Sequence, residues 1–208
     1  MTYEQDVIDR PIAKEQTAEH KARANVYRLF AALLATPPND ELIQIVRNID
    51  VPEATDDKSL TEAWQQLKNV AQQVTPDEIE EEYFNLFIGL GKGETSPYAS
   101  WYLTGFLMEK PLAELRSELL RLGFDRQANV SEPEDHVAAI CEVMSVIISD
   151  SELSFNEEKP FFTKFIEPWM GRFFDDLTRT RSANFYKPVG ILGKQFIDIE
   201  QRYFSMPV

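Results

Sequence analysis

From Ala22 onward the apolar residues recur at helical spacing. Ala22, Val26, Leu29, Phe30, Leu33 and Leu34 form one stripe, and Thr36-Pro37-Pro38 stops it. Leu42, Ile43, Val46 and Ile49 predict a shorter helix that ends at Pro52. Ser59 and Glu62 have capping-box spacing ahead of Ala63, Leu67, Val70 and Val74. Thr75-Pro76-Asp77-Glu78 supplies a cap, a proline at the first helical position and acid in the first turn. The helix it opens carries Ile79, Tyr83, Leu86 and Phe87 and runs into Gly89-Leu90-Gly91-Lys92-Gly93. Leu112, Leu115, Leu119 and Leu122 predict a helix from Pro111, with Gly123 at its left-handed C-terminal position. Phe124 to Val130 lacks the pattern and reads as a hinge. Ser131 and Glu134 form a second capping box before Val137, Ile140, Cys141, Met144 and Ile148. An aromatic-rich stretch follows, interrupted by Pro168, and the last stripe holds Phe185, Val189, Leu192, Phe196 and Ile199. No strand pair or repeat stands out. The expectation is an all-α chain, one helical domain (1–208) of about eight to ten helices. A subdivision into 1–123 and 131–208, joined by the hinge at 124–130, is compatible with it.

Composition narrows the function. A formal charge of −14 over 208 residues disfavours nucleic acid and anionic membrane surfaces, and favours basic partners. A single cysteine, Cys141, excludes an intramolecular disulfide framework and fits a reducing compartment. Met1 to Gln16 has no apolar segment of the kind that leads a secretory signal, and no run of apolar residues is long enough to span a bilayer. The chain is expected to stay in the cytoplasm, without stable membrane insertion.

Catalytic chemistry is poorly represented. Asp135 and His136 are neighbours, so on a helix their side chains diverge by about 100° and make no ready dyad. Cys141 falls on an apolar stripe. Cys141, His20 and His136 have no metal-ligand spacing, and no metal is expected. The run Gly89-x-Gly91-Lys92-Gly93 fails the phosphate-loop spacing and follows no strand, so it reads as a helix C-cap with a loop. Two blocks remain. One is Glu82-Tyr83-Phe84-Asn85-Leu86-Phe87, continued past the loop by Pro97-Tyr98-Ala99-Ser100. The other is Glu132-Pro133-Glu134-Asp135-His136. Tyr83, Leu86 and Phe87 at i, i+3 and i+4 share a helix face, which on spacing alone is a core face. Pro97 to Ser100 reads either as a turn into a short helix capped by Ser96 or Ser100, or as an aromatic wall. The acids of the second block suit a helix N-terminus, yet a solvent-facing Asp135 would also take an arginine through paired hydrogen bonds.

In order and spacing these blocks resemble the TorD/DmsD-type chaperones, the redox enzyme maturation proteins that assist molybdenum-containing enzymes. The resemblance implies a cytoplasmic, non-enzymatic protein that binds the twin-arginine leader of a molybdoenzyme precursor, or the precursor's body, while its cofactor is inserted before export. It places Tyr83, Leu86, Phe87, Pro97, Tyr98, Ser100, Glu132, Pro133, Asp135 and His136 at one peptide-binding groove. It implies no cofactor of the chaperone's own, with GTP the one nucleotide brought into view. A homodimer formed by exchange of the C-terminal helices is compatible with the hinge. Two alternatives stand beside it: a leader-independent, NarJ-like assembly chaperone of a cytoplasmic redox subunit, and a nucleotide-dependent enzyme.

Overall fold

A computed structural model describes residues 17–51, 58–89, 93–125, 132–150 and 155–206. Ten α-helices lie among the described residues: α1 Ala18–Ala35, α2 Asp40–Arg47, α3 Lys58–Gln73, α4 Pro76–Tyr83, α5 Ala99–Thr104, α6 Lys110–Arg121, α7 Val137–Ser149, α8 Phe155–Phe161, α9 Met170–Arg179 and α10 Tyr186–Ser205. Two π-helical turns, Phe84–Ile88 and Phe162–Ile166, extend α4 and α8. No strand occurs among the described residues; one isolated antiparallel bridge joins Tyr98 to His136. The all-α expectation holds.

The central helix is α7, which buries Val137, Ala138, Ile140, Cys141, Met144, Ser145, Ile147 and Ile148 around much of its circumference. It packs along α1 and touches α8, while α10 lies against α9 and α3. Aromatic rings fill the space between these layers. Tyr27 meets Phe196 edge-on at 4.9 Å, and Phe30 lies 5.0 Å from Phe174. Such pairs add about 0.5–1.5 kcal/mol beyond area burial.

The predicted start signals met different fates. At α4 the capping box forms in full: Glu78 N–H donates to Thr75 Oγ1 at 3.3 Å, and Thr75 N–H donates to the Glu78 carboxylate at 2.8 Å. α3 begins at Lys58, one residue ahead of the predicted cap Ser59, and the residues before it lie outside the described ones. Gly123 closes α6 at φ 83°, as its position demanded. Pro160 sits inside α8, and Pro168 in the turn between the second π turn and α9. Of the expected hinge, 126–130 lies outside the described residues.

One charged cluster is enclosed by this core. Arg23 of α1 donates from Nε and Nη2 to both oxygens of Glu200 (2.6 and 2.9 Å), and from Nη1 to Glu158 at 3.0 Å. Tyr27 donates to Glu200 at 3.1 Å, and the guanidinium lies 4.1 Å over the Tyr203 ring. Burial alone would lower the arginine's proton affinity; the hydrogen bonds and charges of Glu200 and Glu158 outweigh it and raise it.

Candidate functional site

The first block does not continue α4 as a regular helix. At Phe84 the backbone widens to i→i+5 bonding, and Gly89 N–H reaches Phe84 C=O at 2.7 Å. The carbonyls of Asn85 and Leu86 are then taken by the returning chain, through Glu94 N–H at 3.3 Å and Thr95 N–H at 3.0 Å. The return needs a glycine: a Cβ on Gly93 would lie 2.5 Å from Leu86 O. Gly93 therefore serves backbone approach; Gly91 and Lys92 lie outside the described residues.

The widened turn sorts the predicted face. Leu86 is fully buried and Tyr83 nearly so, its hydroxyl donating to Leu34 O at 3.3 Å and Ala35 O at 3.1 Å. Phe87 is half-buried, 4.9 Å from Tyr83 and 5.3 Å from Tyr186. Leu86 thus supports from inside, and Tyr83 and Phe87 lie nearer the surface. Burial, with the Glu132 charge behind it, pushes the Tyr83 phenol up to about 12. That influence already places Glu132 of the second block near the first.

The two blocks are joined by backbone. Ala99 N–H donates to Asp135 O at 2.9 Å and Val137 N–H to Pro97 O at 2.8 Å, which pairs Tyr98 with His136. Side chains alternate across such a pairing. On one side the Tyr98 and His136 rings meet edge-on at 5.2 Å, and the Tyr98 hydroxyl donates to the exposed Glu132. On the other, Ala99 and Asp135 face a cavity bounded by α5, α6 and α7. Pro97 is buried at the pairing; Pro133 is half-buried, and its C=O accepts from His136 N–H at 3.1 Å.

The second block is not the first turn of a helix. α7 starts at Val137, and its N-cap is His136, whose Nδ1 accepts from Ala138 N–H at 3.2 Å. Ser131 lies outside the described residues, and Glu132, Glu134 and Asp135 precede the helix. Nδ1 as acceptor fixes the neutral tautomer with its proton on Nε2. Burial holds the imidazole down to about 4, against the pull of Glu132 and Asp135, so it is neutral near pH 7. No hydrogen bond from Nε2 occurs among the described residues. It is a donor beside Tyr98 and Glu132. Burial, then the bond to Glu132, raises the Tyr98 phenol, which stays protonated.

Asp135 is not the solvent-facing acid expected. It is 1% exposed, and its Oδ2 accepts from Ser100 N–H at 3.0 Å and Ser100 Oγ–H at 2.5 Å. It caps α5 from across the bridge. Ser100 is thus the capped residue, and neither Ser96 nor Ser100 caps α5, whose N-cap is Tyr98. Glu134 is held by Arg116 at 2.8 Å. Of the four ionisable groups in the block, Glu132 and His136 are the two that face the Tyr98 side.

Comparison with known proteins gives the family and the fold. The family profile described as nitrate reductase delta subunit matches residues 53–175, which include both blocks. The chain belongs to the nitrate reductase delta subunit family. Among relatives of this family member, a protein named chaperone protein TorD from Aliivibrio fischeri is 23% identical, aligned over 92% of this chain and 98% of its own. The TorD protein of Actinobacillus succinogenes is 27% identical over 74% of this chain and 83% of its own. A crystal structure of a redox enzyme maturation protein from Archaeoglobus fulgidus superposes with a TM-score of 0.58 at 16% identity, covering 91% of this chain and 99% of that one. It shows the fold.

Two features of this delta-family chain escape sequence reading. Glu82, the first residue of its block, accepts from the N–H groups of Asn184, Phe185 and Tyr186 at 2.7–2.9 Å and so caps α10. Burial raises its carboxyl, and the three backbone donors oppose that. The other is Phe106-Leu107-Met108, three large apolar side chains exposed after α5. Their signal was present in the sequence: a glycine followed by three apolar residues that no helical stripe absorbs.

Proposed function

We propose that this chain is a chaperone of molybdoenzyme maturation that receives the twin-arginine leader of its precursor beside the Tyr98–His136 bridge. The observation that carries this reading is the bridge itself, which gathers an aromatic wall, an exposed carboxylate and an unpartnered imidazole N–H in one place. Glu132 supplies the acceptor for a guanidinium, His136 Nε2–H donates to a peptide carbonyl, and Tyr98 with Phe87 offers apolar surface to the leader's hydrophobic segment. The chain's formal charge of −14 draws a basic peptide toward it. Work in the cytoplasm, release for export and insertion of the cofactor into the held precursor belong to the same reading, which requires no catalysis by the chaperone.

The family description also favours a second reading, in which the partner is a cytoplasmic redox subunit without a leader. Titration calorimetry separates the two. The cognate leader peptide is expected to bind, and Glu132→Gln to weaken it roughly tenfold, the scale of one charge-assisted contact. Absence of leader binding together with binding of the leaderless precursor would favour the second reading.

A further inference from the structure

On the far side of the bridge from Tyr98 lies a cavity of about 220 Å³. Leu103, Leu115, Ile140 and Phe165 give it apolar walls, and Asp135 is in its lining. Asp135 is 1% exposed; Oδ2 is committed to Ser100, and no hydrogen bond to Oδ1 occurs among the described residues. A carboxylate oxygen without a protein partner, in the lining of a mainly apolar cavity, is placed to accept from a donor that enters it.

The surroundings narrow what that is. The volume is below the roughly 300–1,000 Å³ of small-molecule sites, so one side chain fits better than a cofactor. At the mouth, Lys110 and Lys164 share the single Glu114, at 3.3 and 3.6 Å, which leaves the rim cationic on an acidic protein. A lysine or arginine would have to pass two like charges to reach Asp135; a neutral donor would not. In the turn between Thr104 and Lys110, which both line the cavity, Phe106, Leu107 and Met108 are 68%, 51% and 73% exposed. Thr104 holds this turn in place, its Oγ1 accepting from Phe106 N–H at 3.2 Å, and Met108 sits at φ 58°. A left-handed methionine costs free energy that a solvent-facing loop has no reason to bear.

We infer that this cavity is an anchor pocket for a single tyrosine or tryptophan side chain of a protein partner, with an acidic residue next to it. The ring fills the apolar walls, its O–H or N–H donates to Asp135 Oδ1, and the neighbouring acid meets Lys110 and Lys164. Phe106 to Met108 form the apolar collar around it. This surface is separate from the leader site and stands or falls independently of it.

Methyl-labelled protein titrated with small amides provides the test. N-acetyl-tyrosinamide and N-acetyl-tryptophanamide are expected to shift the Leu103, Leu115 and Ile140 methyls saturably. N-acetyl-phenylalaninamide, which lacks the donor, should bind at least fivefold more weakly. Acetyl-Asp-Tyr-amide should bind more tightly than acetyl-Lys-Tyr-amide, and the exposed substitution Lys164→Gln should narrow that difference. Equal binding of the tyrosine and phenylalanine amides, shifts that do not saturate, or shifts centred on Tyr98 and His136 would each overturn the assignment.

Discussion

At Arg23 every buried side-chain nitrogen and oxygen is answered. Three guanidinium nitrogens, two carboxylates and the Tyr27 hydroxyl close on one another, and none is left without a partner. At the Tyr98–His136 bridge the buried polar side chains of Asp135 and His136 are only half bonded within the protein. Asp135 uses one oxygen and His136 one nitrogen, and no hydrogen bond to the second atom of each occurs among the described residues. Full closure makes a rigid internal tie between α1, α8 and α10. Half closure fixes a side chain's position while leaving it an open bond, which is what recognition requires.

The comparison breaks most visibly at the closed cluster. Arg23→Leu strands Glu158 and Glu200, both fully buried, without their cation. Loss of one partner from such a cluster costs about 3–5 kcal/mol. For a chain of this size that is a fall in Tm of roughly 6–20 °C, readable by calorimetry. Replacing Glu158 and Glu200 by leucine in the same variant should recover part of it, because the isolated charges go too. Leader affinity should be unchanged in the fraction that stays folded.

Next in size is the acid response of the open cluster. The His136 imidazole is held down to about 4 in the fold, against an ordinary value of 6.5. Between those values the unfolded chain binds more protons than the folded one, so stability rises with pH across that window. The contribution is complete above about pH 6.5 and is lost as pH falls through about 4, a difference on the order of 3 kcal/mol. Denaturant midpoints measured at pH 7 and pH 4.5 should show it. His136→Asn keeps an N-cap acceptor for α7 and removes the titration, so its midpoint should change less with pH. An unaltered pH response in that variant would assign the acid sensitivity to other groups.

The contrast between the two clusters also marks what the sequence could disclose. The helices were legible because their stripes and the Thr75 cap are local: every residue that decides them lies within a few positions. The ties were not. Arg23 and Glu200 are 177 residues apart, Asp135 caps a helix 35 residues upstream, and Glu82 caps one about a hundred residues downstream. A cap delivered from elsewhere in the fold looks in sequence like a cap for its own neighbours, which is why Asp135 reads as part of the start of α7. The π turn at Phe84 escaped for a related reason. Its extra residue is stabilised by Glu94 and Thr95 coming back past Gly93, and no helical period predicts that return. The meeting of Tyr98 with His136 rested on resemblance; the backbone bridge gives it a physical cause.

The smallest expected effect does the most to separate the two sides of the bridge. In Asp135→Asn the amide oxygen still accepts from Ser100 N–H and Oγ–H, which fixes the amide's orientation and turns its NH2 into the cavity. What α5 loses is a negative charge at its N-terminus, about 0.3–1 kcal/mol, so Tm should fall by no more than about 4 °C. If Glu132 and His136 are the leader's contacts, the leader's affinity should stay within roughly threefold, since the Asp135 side chain faces away from them. In the cavity the same substitution replaces an acceptor by a donor, and N-acetyl-tyrosinamide should lose its advantage over the phenylalanine amide. A tenfold loss of leader affinity in Asp135→Asn, with Glu132→Gln unaffected, would mean that the arginine reaches through to the cavity side, and the two surfaces would have to be read as one.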